Sequence, residues 1–508
     1  MKNIRRVARF FGVLVLAVLI ALLGERLRGQ LAVGSWKKEM LSGGEKLNVL
    51  ELIPTPPLPA ENGAVEVIMA AKQLASVPSN VPPLLRFLNP QQAVVVFTLD
   101  AWESEKSNGK GMLTNTWTDV DDELSSTRIL LTQIVEALQK PAFNSGVVYT
   151  NGFSSFDVPW LTQLKKAGQW LTALCIADLR KGHAEQAFTS LTALNSLTHA
   201  QESEPLIISQ LVRVAVAYSA FGTLWQSLQS DTFSDAQLKS LSQQWQDNHF
   251  VDAMVASFQV ERDMTIDQFR ILRSSKSKLD EGIRGMTQVA AMFGTEDSLG
   301  ADSFFVNYIQ VPLWRAAYSY HDELRSLKTW QERITEARSL QTNSWAAINY
   351  EQGEPRDGFF SVLESDEPKD YGWYGKLRFL FSATTTFSAR ATLLRAVRAD
   401  AQKELAIAAI ALKRFHMATG RYPDNLSALV PAYLSAVPKD WMDGKPLRYN
   451  LKPDGTFQLY SINEDGKDDG GDGSLMAKKP KKISIWDGRD AIWPEATFVK
   501  KLTLPKGK

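Results

Sequence analysis

Residues 461–474, SINEDGKDDGGDGS, hold the densest set of chemistry-bearing side chains in the chain. Asp465, Asp468, Asp469 and Asp472 stand close together, with Ser461 ahead of them. Carboxylate, hydroxyl and carbonyl oxygens are what a hard divalent cation takes, and interspersed glycines let a short loop turn its carbonyls inward. The order of acidic residues is not that of an EF-hand. The same run equally suits a solvated acidic turn.

Other chemistries find little support. The histidines are His183, His199, His249, His321 and His416, and no two of them make H-E-x-x-H or another close ligand pair, so zinc is not expected. No G-x-S-x-G elbow, P-loop or G-x-G-x-x-G run occurs. His321-Asp322-Glu323 reads as a helix-packing or surface group, and Glu261-Arg262-Asp263 as a solvated helix face. Cys175, the single cysteine, lies in the apolar run LTALCIADL and reads as a small buried hydrophobe. The chain therefore reads as a non-enzyme. A net charge of +1 gives no bulk electrostatic case for nucleic acid.

Several elements must position the acidic loop. Two short strands precede it, LRYN and FQLYS, joined by Pro453-Asp454-Gly455, and Asp-Gly is a hairpin signal. Ahead of them a long helix over 387–418 should end at Gly420, where glycine is free to adopt a left-handed cap. Leu426, Leu429 and Val430 should pack back on that helix, and Trp486 and Trp493 should dock on the same module. The basic run over 475–483 reads as a solvated linker.

This order of helix, Thr419-Gly-Arg-Tyr-Pro exit, paired strands and acidic Gly-rich loop resembles the globular domain of the major pseudopilin of bacterial type II secretion. The resemblance covers about residues 395–475. It implies a small α+β module with an antiparallel sheet and a calcium-binding loop. Its ligand pattern falls on Ser461, Asn463, Asp465 and Gly466, with Asp472 as a second acidic ligand and Asp468 and Asp469 as further charge. Trp441 and Met442 depart from the family's turn, and Ala17 stands where its prepilin leader would place a glutamate. The whole chain resembles multidomain, membrane-anchored envelope proteins of Planctomycetes- and Verrucomicrobia-type bacteria.

The N-terminus carries Lys2, Arg5, Arg6 and Arg9 before an uncharged apolar run over 10–23. With no small-x-small cleavage pair behind it, this run reads as an uncleaved anchor, with a cleaved signal peptide as the alternative. The cations ahead of it predict a single pass through the bacterial inner membrane, with the bulk on the periplasmic side. The expected division is a signal-anchor at 1–24, a juxtamembrane helix and Pro-rich linker at 25–63 with Trp36 near the membrane interface, and a mostly helical domain at 64–380. A pseudopilin-like domain at 385–495 and a basic tail at 496–508 follow. Trp160, Leu164, Ala167, Leu171, Leu174 and Cys175 follow the spacing of a buried helical face. Residues 206–228, apolar almost all round, read as a central core helix, and 93–99 as a strand. The fold class is mainly α, and the expected role is a membrane-anchored, extracytoplasmic binding or scaffold protein with partners in the cell envelope. An atypical component of a type II secretion-like system and a hydrolase with an unrecognised site are the alternatives.

Overall fold

The structure, a computed structural model, describes residues 2–74, 85–89, 92–95, 114–152, 158–229, 231–292, 305–350, 375, 378–382, 389–474 and 484–493. Helices dominate, in the order α1 (Lys2–Ser42), α2 (Ala64–Gln73), α3 (Trp117–Ala137), α4 (Trp160–Lys181), α5 (Ala184–Ala200), α6 (Ile207–Leu228), α7 (Asp235–Gln246), α8 (Phe250–Ser274) and α9 (Lys276–Met292). Two π-helical turns, Val306–Gln310 and Trp314–Tyr318, then lead into α10 (Ser319–Ser339), α11 (Trp345–Tyr350) and α12 (Ala389–Thr419). The strands form two antiparallel sheets, β1 (Leu85–Asn89) with β2 (Gln92–Val95) and β3 (Thr114–Thr116), and β4 (Arg448–Leu451) with β5 (Phe457–Ile462) and β6 (Asp490–Trp493).

Local signals set the boundaries. Gly182, with φ 74°, closes α4, and its N–H satisfies the carbonyl of Leu179. Ser234 and Gln237 form a capping box at the start of α7, each side chain accepting from the other's backbone N–H. α12 ends at Gly420, φ 74°, as its sequence predicts. The β4–β5 hairpin turns at Gly455, φ 79°, and pairs Arg448 with Tyr460 and Tyr449 with Leu459. Of the strand expected over 93–99, residues 93–95 lie in β2 and the rest fall outside the described residues.

α6 is the central core helix that its composition predicts. It packs on α4, α5, α8 and α12, and Phe221 meets Trp245 of α7 at 4.5 Å between ring centroids. α12 packs on α6, α7 and α8 and also on β5 and β6. The apolar core therefore runs without a break from Val67 of α2 to Trp493 of β6. It takes in residues on both sides of the division that the sequence suggests between 380 and 385. Cys175 is fully buried, as expected, and burial pushes its thiol pKa up.

The juxtamembrane expectation needs one correction. Residues 25–42 continue α1 without a break from the apolar run, and they dock on α10 where the sequence suggested a helix free of the body. Trp36, expected near the membrane interface, is buried in that seam. The physical reason is that this stretch alternates polar residues with Val33 and Trp36, both buried, so one face belongs to the protein core.

Candidate binding cleft, acidic loop and anchor seam

α6, α12 and the β4–β5–β6 sheet meet around a cleft of about 660 Å³. Its walls include Trp225, Tyr422, Phe457 and Trp493, and Lys413, Lys452 and the loop residues Gly471, Asp472, Gly473 and Ser474 complete them. The aromatic wall is built in steps. Tyr422 lies 4.5 Å from the His416 ring and meets Phe457 edge-on at 4.7 Å, and Phe457 stacks on Tyr449 at 5.9 Å. The Tyr449 hydroxyl donates to the Pro423 carbonyl at 2.7 Å and so fixes the helix exit against the sheet. Lys413 reaches Asp231 at 2.6 Å, and Lys452 is exposed at the hairpin. Lys413 is already paired with Asp231 and Asp472 lies in the wall, so the rings suit a ligand with a planar apolar part and Lys452 offers the charge for an anionic group.

The acidic loop borders this cleft, and its residues divide. Ser461 is buried in β5, where its Oγ donates to Asp440 Oδ1 at 2.7 Å. Asp465 Oδ1 accepts from the Lys467 N–H in a local turn. Asp468 accepts from the Tyr460 hydroxyl, the Gly470 N–H and Arg448 Nε. Asp472 accepts from the Ser474 N–H and Oγ, both at 2.9 Å. Arg489 stands 3.6 Å from both Asp469 and Asp472. Guanidinium groups thus supply the positive charge beside Asp468, Asp469 and Asp472. Ser461 faces a different carboxylate, and the five residues do not form one donor set. Among the described residues no group of three or more His, Cys, Asp or Glu is placed to hold a metal ion.

Two carboxylates that sequence reasoning missed build this region. Asp440 is fully buried and accepts from the Met442 N–H, the Ile462 N–H, Ser461 Oγ and Arg448 Nη1 at 2.7–3.0 Å. Burial pushes its pKa up to about 6, against those hydrogen bonds and the Arg448 charge. Asp490, also buried, accepts from the Gly471 and Asp472 N–H groups and thereby ties the loop to β6. The available signal for Asp440 was the Asp-x-x-Asp-Gly turn with Arg448 shortly after it. Asp490 lies in a strand, β6, that carries no distinctive pattern.

A second polar assembly forms where α1 docks. Gly29 brings the backbones together, because a Cβ there would lie 3.0 Å from His321 Cδ2 and 3.0 Å from Tyr320 Cβ. Arg26 Nη1 donates to the Arg315 carbonyl at 2.9 Å. Glu323, fully buried, takes Lys37 at 2.7 Å and Arg273 at 2.6 Å. Glu45 binds Arg338 through both carboxylate oxygens and accepts from Arg262 and Gln331 at 3.0 Å. Burial works against the Glu45 charge, but bonds from Arg338, Arg262 and Gln331 outweigh it and hold the pKa down at about 2.

Here the reading of Glu261-Arg262-Asp263 as a solvated face is corrected. Arg262 and Asp263 are buried, and the Arg262 guanidinium bridges Asp263, Glu45 and the Lys46 carbonyl. The helical period of α8 turns Arg262 toward Glu45 and Lys46 beyond α1 and toward Gln331 of α10, partners that lie far away in sequence. His321 is buried as a helix-packing group, with Nε2 2.9 Å from the Glu25 carbonyl oxygen. Burial lowers its pKa.

Comparison of the chain with protein-family models, with curated proteins and with solved structures gave no match.

Proposed function

We propose that this chain is a membrane-anchored, extracytoplasmic binding or scaffold protein of the bacterial envelope, held by α1 in the inner membrane with its body on the periplasmic side. One observation carries the reading. α1 is a single helix whose apolar N-terminal half has no buried residue, while its continuation is locked to α10 by Gly29, Trp36, Lys37 and Glu45. A bare apolar helix in water is costly at roughly 25 cal/mol per Å², and a bilayer removes that cost. The locked half makes the anchor a rigid arm rather than a tether, so the body keeps a fixed height above the lipid.

The aromatic cleft supplies the binding site in this reading, and its ligand has a planar apolar part and an anionic group. The calcium proposal for the acidic loop requires the cation to displace Arg489 from Asp469 and Asp472. A role as an atypical secretion-system component would need the module around α12 to dock on a filament or its platform through its outer surface, because most of that helix is already buried in the body.

Membranes from cells making the full chain, washed in alkaline carbonate, test the anchor. The chain should pellet with the lipid, and externally added protease should reach the body in spheroplasts but not in inside-out vesicles. Recovery in the wash would sink the membrane reading. For the cleft, naphthalene-2-sulfonate is a suitable probe by calorimetry on the detergent-solubilised chain. Saturable heat, weakened at least tenfold by Phe457→Ala and by Lys452→Glu, is expected; no heat would remove the cleft from the proposal.

A further inference from the structure

We infer that the helical stretch beginning at Phe305 is a second membrane contact, dipping its first turns into the lipid interface beside α1. This rests on the anchor reading above.

The direction of the stretch follows from the seam. Arg26 meets Arg315, Gly29 meets Tyr320 and His321, Lys37 meets Glu323, and Glu45 meets Gln331 and Arg338. The partners rise together along both chains, so α1 and α10 run parallel. Walking back from His321 therefore leads toward the bare end of α1. At about 1.5 Å per residue, the turns before Val311 lie roughly 15–20 Å beyond the Gly29 contact, a level at which α1 is already wholly exposed and apolar. An element at that level meets the same surroundings as the anchor.

The side chains there agree with that placement. Phe305, Tyr308 and Ile309 are exposed at 45%, 71% and 40%, while Val306, Val311 and Trp314 are buried in a local core with Phe269, Leu279 and Ile283. Phe305, Tyr308 and Ile309 stand at i, i+3 and i+4 and so share one outer face, with the exposed Asn307 beside them. A tyrosine among aliphatic and aromatic neighbours is the mix found at headgroup level, with an apolar body and a wet tip. The adjacent helix α9, whose Leu279 and Ile283 share this core, carries exposed Lys276 and Arg284, which suit anionic lipid, while its Lys278 pairs with Glu281 at 2.9 Å. A rigid anchor with a second shallow contact fixes the rotation of the body about α1, which a single helix would leave free.

Spin labels can separate the outcomes. Val13→Cys, Tyr308→Cys and Ile129→Cys are placed singly in the full chain, whose native Cys175 is buried, and the protein is reconstituted in vesicles containing one-third anionic phospholipid. Collision with lipid-soluble oxygen is compared with collision with an aqueous nickel chelate. Oxygen should dominate at residues 13 and 308 and nickel at 129, a site on α3 that is exposed but far from the seam. Oxygen dominance at 13 with nickel dominance at 308 would overturn the second contact and leave the anchor standing. Nickel dominance at both would overturn both. Dipolar broadening between labels at 308 would mean that a second copy covers the patch instead, and would also overturn the inference.

Discussion

Gly29 of α1 and His321 of α10 approach so closely that a single added carbon on Gly29 would sit 3.0 Å from the imidazole Cδ2. This contact marks the point where α1 passes from bare to buried. It joins the bare apolar segment of α1 to the body mechanically, through backbone proximity. The ion pairs of Lys37 and Glu45 extend the same seam toward the end of the helix.

Gly29→Leu is expected to force the two helices apart and to cost about 1–3 kcal/mol, the usual range for overpacking a close contact. Gly34→Leu serves as the control, because nothing lies within 4 Å of that position. Thermal unfolding in detergent should show a clear drop for the first variant and little for the second. Equal drops would mean that helix docking does not depend on the Gly29 contact.

Asp322 is fully buried and accepts from Trp314 Nε1 at 2.7 Å and from the backbone N–H groups of Leu380, Phe381 and Ser382 at 2.9–3.0 Å. Asp322→Ala leaves four buried donors without an acceptor. A loss of about 3–5 kcal/mol is expected by analogy with breaking a buried charged network. Denaturant unfolding followed by tryptophan fluorescence reads it, and a loss below about 1 kcal/mol would contradict the role assigned to this carboxylate.

Arg262 serves two carboxylates with opposite pH behaviour. The folded-state pKa of Glu45 is depressed to about 2, so its stabilisation is present above the ordinary value of 4.5 and is lost as pH falls from there toward 2. Asp263 is the reverse. Burial, opposed by Arg262, raises its pKa to about 7, so stability present below 3.8 is lost as pH rises through 7. Glu45→Gln should flatten the acid limb of the stability–pH profile, and Asp263→Asn the limb between pH 4 and 8. If each variant shifted the whole profile uniformly, neither group would titrate as described.

With Arg489 in place beside Asp469 and Asp472, micromolar calcium should leave the melting temperature of the full chain unchanged. Arg489→Ala removes that cation, and the variant should melt lower in chelator and gain more from millimolar calcium, since a ligand stabilises in proportion to its binding to the folded state. A calcium-dependent rise in the unaltered chain, abolished by Asp472→Asn, would instead establish the ion site that the pseudopilin resemblance implies.

Much of the local architecture was legible beforehand because it depends on neighbours in sequence. Ser234 and Gln237 cap α7, Gly182 and Gly420 end their helices, and the Asp-Gly hairpin sets the β4–β5 register, all through contacts within a few residues. The N-terminal apolar run announces itself by length and apolarity. The acidic loop was visible as composition, but not as geometry. Which arginine faces which aspartate depends on β6, and that strand arrives after the loop with no pattern of its own.

Sequence by itself determined the helical class, the bare apolar half of α1, the core character of α6 and the hairpin that leads into the acidic loop. These follow from periodicity, capping and turn chemistry, which act over short distances. Tertiary structure alone decided that residues 25–42 are a docked arm, that Arg262 and Asp263 are buried, that Asp440 and Asp490 support the loop, and that one core joins α12 to the rest. Each of these rests on partners separated by tens to hundreds of residues, as in the Glu45–Arg338 pair. A residue's type states what it can bond, but only the packing of distant elements states what it meets.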